Sequence, residues 1–305
     1  MDMRVISLLP SATEIVCALG AADQLVGISH ECDFPAAVRD RPVLTRSRID
    51  ASGSSRAIDA AVRAVIAGAL SIYEVDEARL GELAPDVIVT QDLCAVCAVS
   101  LDDVRAAVAR LAHRERVEIV SLSPTRLGDV LDDVERVAAA LDRRSIGARV
   151  RGDLERRIGA IRARTTALAA RPRVVTLEWL EPLMIGGTWM PELVELAGGL
   201  AIGATAGAPA PTIDRDALAA ACADVIVIKP CGFSIERTLA ERPVIAREVL
   251  AAAGGARVYV ADGNAFFNRP GPRLVESLEL LAACVHPDAF ADFAAAHADD
   301  LVRLH

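Results

Sequence analysis

The apolar positions of the chain fall into short solid runs, separated by loops and by stretches with helical spacing, so the pattern reads as strand, loop and helix repeated. Residues 4–9 form one such run and end at Pro10. Ser11 and Glu14 follow with S-x-x-E spacing, which predicts a capping box and a helix that stops at Gly20. Further strands are predicted at 24–29, 86–90 and 118–122, and a helix opening at Ser100 with Asp103 in its first turn. The run at 86–90, DVIVT, has the apolar solidity of a parallel strand covered on both faces.

From about residue 127 to residue 170 the spacing turns helical throughout, first in Val130, Val134, Val137 and Leu141, then in Val150, Leu154, Ile158 and Ile161, with a break expected at 142–145. A second series follows, with strands at 173–177, 224–228 and 257–261, a helix after Pro191 that ends at Gly198 and Gly199, and a terminal helix at 272–284. The expectation is an α/β protein of two Rossmann-like lobes with parallel sheets, residues 1–126 and 172–305, joined by a long helical connector at 127–171. Ligands of open α/β sheets bind beyond the carboxyl ends of the strands, which predicts a ligand cleft between the lobes.

Composition narrows the function. At 53% hydrophobic and 25% charged residues, the chain is neither disordered nor a coiled coil. Its 33 basic and 42 acidic residues leave a net charge of −9, and Lys229 is the single lysine. With no basic run, nucleic acid and anionic membrane surfaces are poor partners. No apolar stretch reaches the ~18 residues of a membrane span. Residues 5–22 are apolar on average but contain Pro10, Ser11, Thr13 and Glu14, which the core of a signal peptide would lack. They read as mature structure, and the protein as cytoplasmic, or periplasmic where a leader has been removed. Seven cysteines suit reduced thiols or metal ligands better than a disulfide framework.

The loops after the predicted strands carry the unusual side chains. His30, Glu31 and Cys32 follow the second strand; Asp92, Cys94 and Cys97 follow DVIVT. Trp179 and Trp189 follow the strand at 173–177, Cys231 and Phe233 the DVIVI strand at 224–228, and Asn264, Phe266, Phe267 and Arg269 the last strand. Cys32, Cys94, Cys97 and Cys231 form a candidate metal set, since C-x-x-C presents two soft thiolates to zinc or an iron–sulfur cluster. Separate reduced thiols or a redox dithiol are the alternatives. His30 is either a ligand or a hydrogen-bonded loop residue. The aromatic residues suit either a platform for a large flat ligand or core packing. Cys17, Cys222 and Cys284 read as small buried hydrophobes, and His113, His286, His297 and His305 as residues without a specific role. No G-x-S-x-G, H-E-x-x-H or Walker loop occurs, so no enzyme activity is expected.

RVISLLPSATEIVCALGAADQLVGISHECDFP resembles the opening of the cobalamin and ferric-siderophore class of ABC-importer solute-binding proteins. PDVIVT, ADVIVIKPCGF and DGNAFFNRPGPRLVESLELLA resemble later segments of that class, in order, and the likeness is nearest to its cobalamin-binding branch. It implies two lobes bridged by a long helix, a ligand clamped between them, and binding without turnover. Carried over by position, the ligand-contacting residues are Ser11, His30, Glu31, Asp92, Trp179, Trp189, Phe233, Asn264, Phe267 and Arg269. The resemblance implies a small-molecule metal chelate, cobalamin or a related corrinoid, as ligand, and an ABC permease as partner if the protein is exported. The competing expectation is a cytoplasmic metalloprotein or enzyme that uses the cysteine set for zinc or an iron–sulfur cluster.

Overall fold

The computed structural model of the chain describes residues 3–67, 72–91, 105–106, 109 and 117–304. The chain divides into two compact units, one comprising Met1–Gly53, Ala60–Pro124 and Gly128–Asp153, the other Ser54–Asp59, Thr125–Leu127 and Leu154–His305.

The first unit is built on β1 (Val5–Ser7), β2 (Leu25–Ile28), β5 (Val87–Gln91) and β6 (Glu118–Leu122), which form a four-stranded parallel sheet in the order β2-β1-β5-β6. Between them in the chain, β3 (Thr45–Ser47) and β4 (Tyr73–Val75) pair as an antiparallel ribbon. Ile6, Leu8, Leu44, Leu80 and Ile88 make a core against one side of the sheet. All five residues of β5 are buried, as a strand covered on both faces requires.

Helix α1 (Pro10–Ala18) follows β1 directly. Its start differs from the expected capping box: Leu9 is the cap residue, no side chain caps the helix, and Pro10 enters the first turn. Proline has φ preset for that position and no N–H to leave unsatisfied. Ser11 therefore lies inside the first turn, buried, with no partner for its hydroxyl among the described residues. The predicted stop holds, since Gly20 turns the chain at φ +70°.

Helix α2 (Ser55–Ala67) precedes β4, and α3 (Glu77–Leu83), capped by the Asp76 carboxylate, precedes β5. Helices α4 (Leu127–Ala140) and α5 (Arg144–Thr166) are separated by three residues, where Asp142 takes φ +55°. The α4 stripe of Val130, Val134 and Val137 is buried, and on α5 Leu154, Ile161 and Thr165 are buried along one face.

The second unit holds a seven-stranded mixed sheet. Its strands are β7 (Arg173–Leu180), β8 (Leu183–Ile185), β9 (Leu200–Ala201), β10 (Thr212–Ile213), β11 (Val225–Ile228), β12 (Arg257–Ala261) and β13 (Leu301–Arg303). The centre, β7-β11-β12, is parallel. Antiparallel strands close both edges, β8 and β10 on one side and β13 on the other, so this sheet is mixed where a parallel one was expected. Val175, Leu177, Ile226, Ile228, Val258 and Val260 share one buried cluster with Ile245 and Val249. Helices α6 (Met190–Leu196) and α10 (Leu274–Val285) pack together elsewhere on the unit, and α7 (Arg215–Ala220), α8 (Ile235–Leu239), α9 (Arg242–Val244) and α11 (Ala291–Ala296) complete it. The chain thus continues past the expected terminal helix into α11 and β13.

Candidate functional site

Because β7, β11 and β12 run parallel, their carboxyl ends share one edge of the sheet. Lys229 follows β11 immediately and is the only fully buried charged side chain among the described residues, at 0% exposure. Its Nζ lies 3.4 Å from Glu178 Oε2 and 3.0 Å from Asn268 Oδ1. Burial lowers the Lys229 pKa, while Glu178 and Cys231 oppose that shift. Glu178 Oε2 also accepts a hydrogen bond from Gly187 N at 3.2 Å. Asn268 Nδ2 donates to the carbonyls of Lys229 and Gly263 at 3.2 and 2.9 Å, tying the loop after β12 to the end of β11. That approach demands glycine: a Cβ on Gly263 would sit 2.0 Å from the Pro230 carbonyl oxygen.

Around this centre the structure gathers Trp179, Phe233, Asn264 and Arg269. The half-buried Trp179 ring lies 5.2 Å from Phe233, and its indole N–H donates to the Ser55 carbonyl at 3.2 Å. Asn264 N donates to the Phe233 carbonyl at 3.0 Å, and Arg269 Nη2 donates to Asn264 Oδ1 at 3.0 Å. Asp262 accepts from the amides of Asn264 and Ala265, and burial raises its pKa against those bonds. Trp189 and Phe267 turn inward. Phe267 is completely buried at φ +65°, and its carbonyl accepts from Trp189 Nε1 at 2.8 Å. These two rings build the loop.

In the first unit, the carboxyl end of β2 carries His30 and Glu31. Thr45 Oγ1 lies 3.0 Å from His30 N, 2.7 Å from His30 Nδ1 and 2.9 Å from Ser29 Oγ. Nδ1 of the exposed His30 is thus engaged by Thr45, and its Nε2 has no partner among the described residues. Partial burial lowers the His30 pKa, and Glu31 opposes it. Tyr73 OH donates to Glu31 Oε1 at 2.9 Å, and the Tyr73 ring stands 5.3 Å from the imidazole.

Asp92, Cys94, Cys97, His113 and His305 lie outside the described residues. Cys32 is buried, its Sγ 3.0 Å from Thr13 Oγ1, whereas Cys231 is exposed, and neither is in a disulfide. No group of three or more His, Cys, Asp or Glu able to hold a metal occurs among the described residues, so the expected cysteine centre for zinc or iron–sulfur has no support there. Cys284 is buried, with its thiol pKa raised by burial, and Cys17 is pushed up to about 11 for the same reason. Cys222, expected buried, is exposed beyond the end of α7 at φ +45°. His297, expected without a role, bridges Glu279 and Asp300.

Lys229, Glu178 and Asn268 were not singled out from the sequence as site residues. The available signal was one lysine at the end of a solidly apolar strand. A groove of about 910 Å³ lies at the other end of the same sheet, but Asp224, Arg171 and Arg257 in its lining are already bonded to backbone. The arranged polar chemistry is at the carboxyl ends.

The model of the periplasmic binding protein family matches residues 5–265. No curated protein matches the chain. Among solved structures, a periplasmic heme binding protein from Pseudomonas aeruginosa is 18% identical, with 94% of each chain covered and a TM-score of 0.69. A periplasmic vitamin B12 binding protein of Vibrio cholerae is 20% identical, with 92% of this chain and 96% of that one covered and a TM-score of 0.64. A periplasmic heme-binding protein from Roseiflexus sp. RS-1 is also 20% identical, with 96% and 100% covered and a TM-score of 0.67. These likenesses establish a shared fold. The family consists of substrate-binding proteins and not enzymes, in agreement with the lack of a catalytic motif. The expected cytoplasmic location is corrected by the same match, which points to the periplasm. Residues 5–22 are folded structure, as read, but a folded opening segment says nothing about compartment. A family match from residue 5 to residue 265 takes in most of the chain, and the protein belongs to the periplasmic binding protein family.

Proposed function

We propose that the protein binds cobalamin or a closely related corrinoid through loops at the carboxyl ends of its strands, and delivers it to an ABC permease. The observation that carries this reading is the partly exposed Trp179 ring, backed at 5.2 Å by the buried Phe233, beside Glu178 and Asn264. An indole held in place by a buried ring and flanked by hydrogen-bonding side chains suits a large, flat ligand with a polar rim. The resemblance of the opening segment to the cobalamin-binding branch supports the same class. A heme is the second reading, favoured by the exposed His30, because an imidazole nitrogen is a suitable donor to a chelated metal. Parallel titrations with cyanocobalamin and hemin, followed by absorbance and calorimetry, separate the two. Saturable binding of cyanocobalamin in preference to hemin is expected. Hemin binding with no heat from cyanocobalamin at micromolar protein would replace the corrinoid reading with the heme one.

A further inference from the structure

Glu178 occupies an unusual place in its strand. Along β7 and β8, Leu177 pairs with Ile185 and Trp179 with Met184, so Glu178 is the extra residue of a β-bulge. Bulges re-aim a side chain out of the regular alternation, at the cost of ladder bonds. Here the re-aimed group is a carboxylate with unequal oxygens. Oε2 is held by Gly187 N at 3.2 Å and Lys229 Nζ at 3.4 Å. Oε1 has no partner among the described residues, and the side chain is 25% exposed while Lys229 is 0% exposed. A ligand arriving at this edge therefore meets the carboxylate of the pair and not its ammonium.

We infer that Glu178, fixed from behind by Lys229, reads the rim of the ligand: Oε1 accepts a hydrogen bond from a carboxamide N–H and disfavours a carboxylate at the same place. This inference rests on the corrinoid reading and deepens it. A corrinoid rim is decorated with neutral carboxamides, which donate, whereas heme propionates are anions that can only accept. A site built around an acceptor rejects a ligand that places a second acceptor opposite it, because both groups lose water without gaining a bond.

The test compares cyanocobalamin with its three isolated monocarboxylic acids, each having one rim amide hydrolysed, on the full chain and on Glu178→Gln. The wild type is expected to bind at least one of the acids about tenfold more weakly than the amide. In Glu178→Gln that ratio is expected to fall to roughly threefold or less, because glutamine can donate to the carboxylate as well as accept from the amide. A structural role alone would lower affinity for all four ligands and leave the ratios unchanged. An unchanged ratio in Glu178→Gln, or equal wild-type affinity for all four, overturns the assignment while leaving the corrinoid reading intact. Absence of any cyanocobalamin binding removes the corrinoid reading, and this inference with it. Should Glu178→Gln fail to fold, Glu178→Asp keeps the charge beside Lys229 and shortens its reach. A smaller preference for the amide over the acids in the aspartate variant supports the assignment, and a ratio equal to that of the wild type overturns it.

Discussion

Lys229 and Asn268 hold each other twice: the ammonium donates to Asn268 Oδ1 at 3.0 Å, and Asn268 Nδ2 donates back to the Lys229 carbonyl at 3.2 Å. One side chain thereby satisfies a buried cation and anchors the loop that follows β12. Asn268→Leu removes a neutral acceptor from a fully buried ammonium and strands two carbonyls, and is expected to cost about 2–3 kcal/mol in urea unfolding. Lys229→Met leaves behind Glu178 and the neutral Asn268 Oδ1, on side chains that are both partly exposed, and should cost less. The order of the two midpoints is the check.

Asp133 on α4 is nearly inaccessible; its Oδ1 pairs with Arg136 at 2.6 Å, and its Oδ2 is buried with no partner among the described residues. Burial pushes its pKa up to about 6 against the pull of Arg136. An acid whose folded pKa lies above its unfolded value destabilises the fold once ionised. The wild type should therefore lose stability relative to Asp133→Asn as pH rises from about 4 to about 6.5, by about 2 kcal/mol. Urea titrations of both proteins across that window measure the change. A flat difference would show that the carboxyl is hydrated.

His297 faces Glu279 at 3.1 Å through Nε2 and Asp300 at 3.2 Å through Nδ1, and Phe266 lies edge-on to its ring. The bond to Glu279, and then that to Asp300, raise its pKa against burial. A base with a raised folded pKa contributes stability that is complete below its unfolded value, near 6.5, and fades as pH climbs through the folded value. The stability gap between wild type and His297→Gln should accordingly be widest at pH 5.5–6 and narrow by pH 8.5.

The two tryptophans should report differently on a ligand. Trp179 is half-buried at the proposed site, and Trp189 is 5% exposed with its N–H bonded to Phe267. Cyanocobalamin is expected to quench emission in Trp189→Phe, where Trp179 remains. Trp179→Phe should lose most of the response and bind more weakly. Equal quenching in both variants would place the ligand elsewhere.

Gly263→Ala should be among the most damaging single changes in the second unit. Its Cβ would meet the Pro230 oxygen at 2.0 Å and the Lys229 carbonyl carbon at 2.7 Å, which are backbone atoms that cannot swing aside. A loss of roughly 3 kcal/mol is expected, read as a shift in urea midpoint.

The central strands were legible in the chain because β5 and β11 are covered on both faces and so read as unbroken apolar runs. The carboxyl-end loops were legible for a related reason, since they are where such runs stop. The antiparallel strands β8, β10 and β13 are two or three residues long, too short for a pattern to establish itself. At α1 two local signals competed, and the preset φ of Pro10 prevailed over the capping capacity of Ser11. Trp189 and Phe267 followed the correct strands, but only the fold turns them inward. Glu178 was hidden most completely, because a bulge is a property of two strands in register and has no mark in one.

The burial of Lys229 has a practical corollary. Every other cationic side chain in the sequence is arginine or histidine, so the folded molecule displays no lysine amine on its surface. Acylating dyes and amine-directed immobilisation chemistry will modify at most the α-amino group until the β11 end opens. A second acyl mark seen by intact-mass spectrometry would then time that opening in otherwise native protein, with no engineered probe.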